Sequence, residues 1–333
     1  MKRPVLLPLI PLYAAGLALR ELRLKRGWEP VRRLHYPVIS IGNLSTGGSG
    51  KTPLTIKLAR LLSARGFQVD VLSRGYGRNE RKAARVPSNG AAEEFGDEPL
   101  LIAREAGVPV YVAAERYDAG QLAEIDANTD RLRPHVHILD DGFQHRQLRR
   151  DIDILLVSSA DWHDQLLPAG NLRESLHAAK RADVLAIPAD NGDFEQELRN
   201  GGWTGPIWRL QRRMEIPQVT GPVVAFCGIA RPEQFFAGLK AAGLRLAGHT
   251  AFNDHHRYTP RNVESLIATV RSANATALIT TEKDEVRLGP LASRFPASLP
   301  LKAVRLSLSI EDELQVSEWL ADRLGVNRIL QSL

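Results

Sequence analysis

Cysteine is all but missing from this 333-residue sequence: Cys227 stands alone. One thiol cannot close an intramolecular disulfide, and no cysteine-based zinc cluster can form. A reducing, cytoplasmic setting is consistent with that scarcity. Long apolar runs are scarce too. Residues 4–19 carry no charge, yet they fall short of the roughly 20 residues a helix needs to span a bilayer. Pro8 and Pro11 are expected to interrupt any helix begun at Pro4. The body of the chain also lacks a charge excess. The net charge is +6, and residues 1–36 account for all of it, with eight basic side chains against two acidic ones. A protein gripping nucleic acid over a broad face shows basic excess in its body. Nucleic acid is therefore not an expected partner, and no repeat or low-complexity stretch suggests a fibrous or disordered chain.

What is present begins at that basic end. Leu12, Leu17, Leu19, Leu22 and Leu24, interleaved with Arg20, Arg23 and Lys25, suit a helix lying in a membrane interface, with its arginines toward anionic headgroups. Two other readings stay open: a core helix with a solvated charged end, and a signal peptide. Against the latter, Arg20–Arg26 stand where a small-residue cleavage site belongs.

Pro37–Ile41 is a short β-branched apolar run that reads as a buried strand. It leads into Gly42-Asn-Leu-Ser-Thr-Gly-Gly-Ser-Gly-Lys-Thr-Pro53, after which Leu54, Leu58, Leu61 and Leu62 recur at helical spacing. Strand, glycine-rich loop, Lys-Thr and helix form the context of a phosphate-binding loop. Backbone N–H groups of Ser45, Thr46, Gly47, Gly48, Ser49 and Gly50 would cradle phosphates at a helix N-terminus. Lys51 would reach the β- and γ-phosphates, and the Thr52 hydroxyl would ligate Mg²⁺. One departure stands out: the strict pattern has glycine where this chain has Ser45. The strand His135–Leu139 ends in Asp140-Asp141-Gly142, which supplies carboxylates for the Mg²⁺ shell.

Six basic residues lie between 65 and 85, against Asp70 and Glu80. The loop Ser73-Arg-Gly-Tyr-Gly77 can hold an anionic acceptor through paired Arg donors. Asp97 follows Gly96 at the start of a helix, where aspartate usually serves as an N-cap.

Together these motifs resemble the tetraacyldisaccharide 4′-kinases, the lipid A 4′-kinases of Gram-negative bacteria. The matching pieces are the loop 42–53, Ser73–Gly77, Gly96-Asp-Glu-Pro99, Asp140-Asp-Gly-Phe-Gln-His145, Leu167-Pro-Ala-Gly-Asn-Leu-Arg-Glu174, Phe252-Asn-Asp-His-His256 and Thr281-Glu-Lys-Asp284. Asn253 stands where the family pattern is expected to have proline. The resemblance implies transfer of the ATP γ-phosphoryl to the 4′-hydroxyl of a lipid disaccharide 1-phosphate at the cytoplasmic face of the inner membrane. It implies that Asp97 takes the hydroxyl proton, helped by His255 or His256, with His255 preferred. It also implies that Arg74, Tyr76, Arg116, His145 and Glu174 lie in or near the acceptor site. Competing readings are a P-loop kinase or GTPase with a soluble acceptor, and a membrane-peripheral nucleotide switch.

Alternating strand and helix signals predict an α/β fold: a P-loop NTPase-like parallel sheet with helices on both faces, a second smaller α/β domain, and an N-terminal interfacial helix. The expected divisions are a membrane-associating segment at 1–36, a kinase domain at 37–200, a linker at 201–220 and a C-terminal domain at 221–333. ATP would enter the cleft between the two domains.

Overall fold

The computed structural model describes residues 3–48, 50–78, 80–127 and 133–325. Among the described residues twelve strands form one continuous sheet. They are β1 (Val38–Asn43), β2 (Gln68–Ser73), β3 (Ala84–Arg85), β4 (Val110–Val112), β5 (His135–Asp140), β6 (Ile152–Leu156), β7 (Val184–Pro188), β8 (Ile207–Glu215), β9 (Val223–Cys227), β10 (Leu246–Ala251), β11 (Ala277–Thr281) and β12 (Leu301–Ile310). Their order is β10-β9-β11-β12-β8-β7-β6-β1-β5-β2-β4-β3.

The seven strands from β4 to β8 pair in parallel, as do the four from β10 to β12. Only the β3 edge and the β8–β12 pair run antiparallel. The latter is the seam between two α/β halves, with Leu210 to Glu215 opposite Ile310 to Arg305. The stretch 201–220, expected as a linker, therefore contains a strand that both halves share.

Parallel strands covered on both faces need apolar side chains at successive positions, and β1, β5 and β6 are buried throughout. Side chains alternate between two layers. Ile39, Ile41, Ile152 and Ile154 pack with Leu54, Leu58 and Leu62 of the helix Lys51–Ala64 and with Leu100–Ile102 of the helix Asp97–Glu105. On the opposite face Leu155, Leu185 and Ile187 meet Phe194 and Leu198 of the helix Gly192–Asn200. In the second half Phe235, Phe236 and Leu239 cover one face, and Val263, Leu266 and Val270 the other.

The N-terminal segment differs from its expected form. A 3₁₀ turn over Pro4–Leu9 runs straight into the helix Ile10–Lys25. Pro11 falls in the first turn of that helix, where its missing N–H has no partner to lose, so neither proline breaks the rod. The resulting 22 residues are long and apolar enough to cross a membrane by length and composition, and none is buried. The rod is nevertheless tied to the body. Arg3 N donates to the Ala169 carbonyl (2.8 Å), Tyr13 Oη to the Arg173 carbonyl (2.9 Å), and Arg20 to the Gln144 carbonyl, while Glu21 pairs with Arg146.

Candidate active site

β1 is flanked by β5 on one side and β6 on the other. Such a reversal of strand order opens a crevice at the carboxyl ends of the strands. A cavity of about 1010 Å³ lies there, walled by the loop after β1 on one side and by residues of the second half on the other.

The loop is built for close approach. Gly50 has φ +93°, and a Cβ there would sit 2.6 Å from the Arg212 guanidinium, so the position requires glycine. Thr46 N donates to the Asn171 carbonyl at 2.8 Å, and Ser45 bridges to Leu172. Ser45 is buried, its hydroxyl accepting from Asn43 Nδ2 at 3.2 Å. Its side chain is thus turned into the protein, which is how the chain tolerates serine where the strict pattern has glycine. Ser45, Thr46, Gly47, Gly48, Gly50, Lys51 and Thr52 all line the cavity. Ser49 lies outside the described residues. Lys51 Nζ donates to Asn43 Oδ1 (3.0 Å) and stands 3.5 Å from Asp141 Oδ1.

Asp140, the last residue of β5, accepts a hydrogen bond from Thr55 Oγ1 at 3.0 Å. Burial, and then the neighbouring carboxylates of Glu98 and Asp141, push its carboxyl up to about 7. Asp141 differs. Burial would raise it too, but Lys51 and Arg173 draw it well below the usual carboxylate range. Arg173 donates to both of its oxygens, at 2.9 and 3.2 Å. Two adjacent aspartates thus have opposite electrostatics, one crowded by anions and one held by cations.

The second cluster joins the two halves. Asp97 opens its helix, and Gly75 and Gly96 let the loop after β2 press on it: a Cβ on Gly96 would lie 3.0 Å from Gly75 Cα. Asp97 Oδ2 faces His255 Nδ1 at 3.0 Å and accepts from Arg287 Nε at 2.7 Å and from Arg287 Nη2. Burial alone would raise the Asp97 carboxyl, but the His255 hydrogen bond and the Arg287 charge hold it far below the ordinary value. That same bond to Asp97 raises His255. His256 points elsewhere, to Asn262 Oδ1 at 3.1 Å, and stacks on Phe252 with centroids 4.5 Å apart.

Of the expected acceptor residues, Arg74, Tyr76, Arg116 and His145 line the cavity. Tyr76 lies 5.4 Å from the His255 ring, centroid to centroid. Burial first, then Arg74, lowers Arg116 to about 10, and its Nε has no hydrogen-bond partner among the described residues. Burial and then Arg116 depress His145 to about 3, so its imidazole is neutral. Glu174 is not part of the cavity wall. It is buried, bound to Arg181 at 2.7 Å, and Arg181 lies over the Phe143 ring. Its neighbour Arg173 reaches the cavity instead.

Glu98, Arg173, Lys283 and Arg287 were not singled out from sequence, although the first three fall inside the quoted motifs; Arg20, expected to face lipid headgroups, bonds the Gln144 carbonyl and lines the cavity instead. Lys283 pairs with Glu98, and Asp284 is a buried hub. Asp284 accepts from Gly228 N (3.0 Å), Tyr258 Oη (3.0 Å), Thr281 Oγ1 (2.6 Å) and Arg287 Nη1 (3.1 Å).

Comparison with known proteins shows the family. The family model described as tetraacyldisaccharide-1-P 4′-kinase matches residues 2–325. The tetraacyldisaccharide 4′-kinase of Koribacter versatilis is 42% identical over 316 residues, covering 92% of this chain and 94% of that protein. The enzyme of the same name from Geobacter metallireducens is 42% identical over 309 residues, 85% of this chain and 88% of its own. A crystal structure of the "apo" form of LpxK from Aquifex aeolicus in complex with ATP superposes with a TM-score of 0.74 at 32% identity. It covers 96% of this chain and 98% of that one.

Proposed function

The chain belongs to the tetraacyldisaccharide-1-phosphate 4′-kinase family, and on that premise we propose a division of labour for its transfer of the ATP γ-phosphoryl to a lipid disaccharide. The observation that carries the reading is that Lys51, Asp140 and His255 line one cavity. The phosphate machinery and His255, the partner of Asp97, therefore face a common space, and Asp97 lines a smaller depression that His255 also borders.

In this reading the loop N–H groups and Lys51 bind the β- and γ-phosphates and neutralise charge as it moves to the leaving group. Arg173 holds Asp141 and so keeps Lys51 and the loop in register. The donor set fits Mg²⁺: the Thr52 hydroxyl and Asp140 offer hard oxygen ligands, and the crowding of Asp140 by Glu98 and Asp141 calls for a cation. Thr52 and Asp140, with Asp141 beside them, would hold the ion, which supplies charge neutralisation at the phosphates when bound. Asp97 accepts the 4′-hydroxyl proton, and His255 orients its carboxylate. Arg74, Arg116 and neutral His145 meet the anionic sugar end of the acceptor. The acyl chains remain in the bilayer, on which the unburied rod Pro4–Lys25 rests at the cytoplasmic face.

The direct test supplies γ-labelled ATP, Mg²⁺ and the disaccharide 1-phosphate lipid in mixed micelles. Labelled bisphosphate is expected; its absence with folded, ATP-binding protein overturns the reading. Asp97→Asn should leave ATP affinity unchanged and lower turnover by roughly 10²–10⁴-fold, the usual worth of a general base.

A further inference from the structure

We propose that Arg287 is the positioning residue of the acceptor base: its guanidinium binds a single oxygen of Asp97 and leaves the other for the acceptor hydroxyl. The inference rests on Asp97 being that base. Asp97 Oδ2 carries His255 Nδ1 and two Arg287 nitrogens, and none of the three uses Oδ1. Three donors on one oxygen fix the carboxylate plane, as a base needs if it is to meet a hydroxyl in line. The pair is almost fully buried, with 5% of the Arg287 and 7% of the Asp97 side chain exposed. A depression of about 70 Å³ lined by Tyr76, Asp97, His255 and Arg287 opens beside it.

Arg287 is itself immobilised. Its Nη1 donates to the Gly228 carbonyl and to Asp284 Oδ1, and Asp284 is held by Gly228, Tyr258 and Thr281. Asp97 belongs to the first half of the chain and Arg287 to the second, so the base is completed only when both halves meet. Arg287 Nη2 also lies 3.3 Å from His255 Nδ1. Ionised Asp97 can only accept, so it is the carboxylate that draws the Nδ1 proton, while the neighbouring positive charge of Arg287 opposes a second proton on the ring. The groups facing Asp97 are His255, Arg287 and Lys283. Lys283 pairs with Glu98, Arg287 with Asp284, and Asp254 stands 4.0 Å from His255 Nε2.

The test is the steady-state kinetics of Arg287→Gln and Arg287→Lys, with ATP affinity measured alongside. Arg287→Gln is expected to lower kcat at least tenfold while ATP affinity and the KM for the lipid stay within about twofold. Arg287→Lys restores the charge but not the two-nitrogen contact, so its kcat stays depressed. A loss carried by KM or by ATP affinity rather than by kcat overturns the proposal, and so does unchanged turnover. Should Arg287→Gln not fold, Arg287→Lys decides: unaltered kcat would sink the claim. Asp97→Asn separates the two readings. If that variant still turns over, Asp97 is not the base; if it is inactive while Arg287→Gln is unaffected, only the Arg287 role falls.

Discussion

Asp70 on β2 sits between two histidines of β5, with Oδ2 at 2.7 Å from His135 Nε2 and Oδ1 at 2.7 Å from His137 Nδ1. His137 Nε2 lies 3.3 Å from Glu124, so its ring is bracketed by two carboxylates. Burial would lower His137, but Asp70 and Glu124 prevail and raise it to about 9. A folded-state value above the unfolded one gives stability that is fully present below pH 6.5 and lost as pH rises through about 9. Urea unfolding should therefore show stability falling by on the order of 3 kcal/mol across that window. His137→Gln should flatten the slope, and a flat profile in the unaltered protein would contradict this. Nothing in the sequence suggested the cluster, because its members come together only through the pairing of β2 with β5. The site divides the same way. Lys51 and Thr52 were legible because a strand, a loop and a helix in sequence position them, and Asp140 because it ends an apolar strand. Arg287 was not, because its meaning depends on a carboxylate 190 residues away. Glu174 and Arg173 show the finer limit: neighbours in one motif face opposite ways, and residue type alone does not say which faces the cavity.

At the scale of elements, most strands were readable from short β-branched runs, and most helices from their apolar spacing. Pairing direction was not. Periodicity is the same for parallel and antiparallel strands, so the β8–β12 seam could pass for a linker. Its side chains explain why: Trp208 and Leu210 alternate as a short strand does, but β8 is mostly exposed beyond Leu210, where nothing apolar announces its pairing with β12. The rod Pro4–Lys25 presents the opposite case, an element whose apolar residues are not buried. Leu12 is 74% and Leu19 49% exposed. Deleting the rod would also remove Arg20 from the cavity wall, so charge substitution is the cleaner test. Leu12→Glu with Leu19→Glu should leave the melting temperature unchanged and weaken binding to anionic vesicles by about tenfold or more. Equal vesicle binding by the double variant would show that this face does not meet lipid. Low salt should strengthen binding of the unaltered chain, since the adjoining basic residues act through screened attraction.

At the scale of the molecule, the question is whether the two halves are separate folding units. Each has apolar layers of its own. Three features nevertheless cross between them. The sheet is continuous through β8 and β12. The helix Glu313–Arg323, the last among the described residues, packs Val316 and Leu320 into the first half's core beside the phosphate-loop helix. Lys57 on that helix meets Glu313 at 2.6 Å, and Asp97 meets Arg287. Truncating Leu320, which is fully buried, to alanine should cost about 2–5 kcal/mol. If the halves fold as one, calorimetry should show a single transition that moves down whole in Leu320→Ala, with ATP shifting it upward by mass action. Two transitions, only one of them moved by ATP, would mean that the seam joins independent domains. A single transition has a functional corollary. On the proposal that Arg287 and His255 position Asp97, opening the seam parts them from that carboxylate, so phosphoryl transfer and global integrity are lost together.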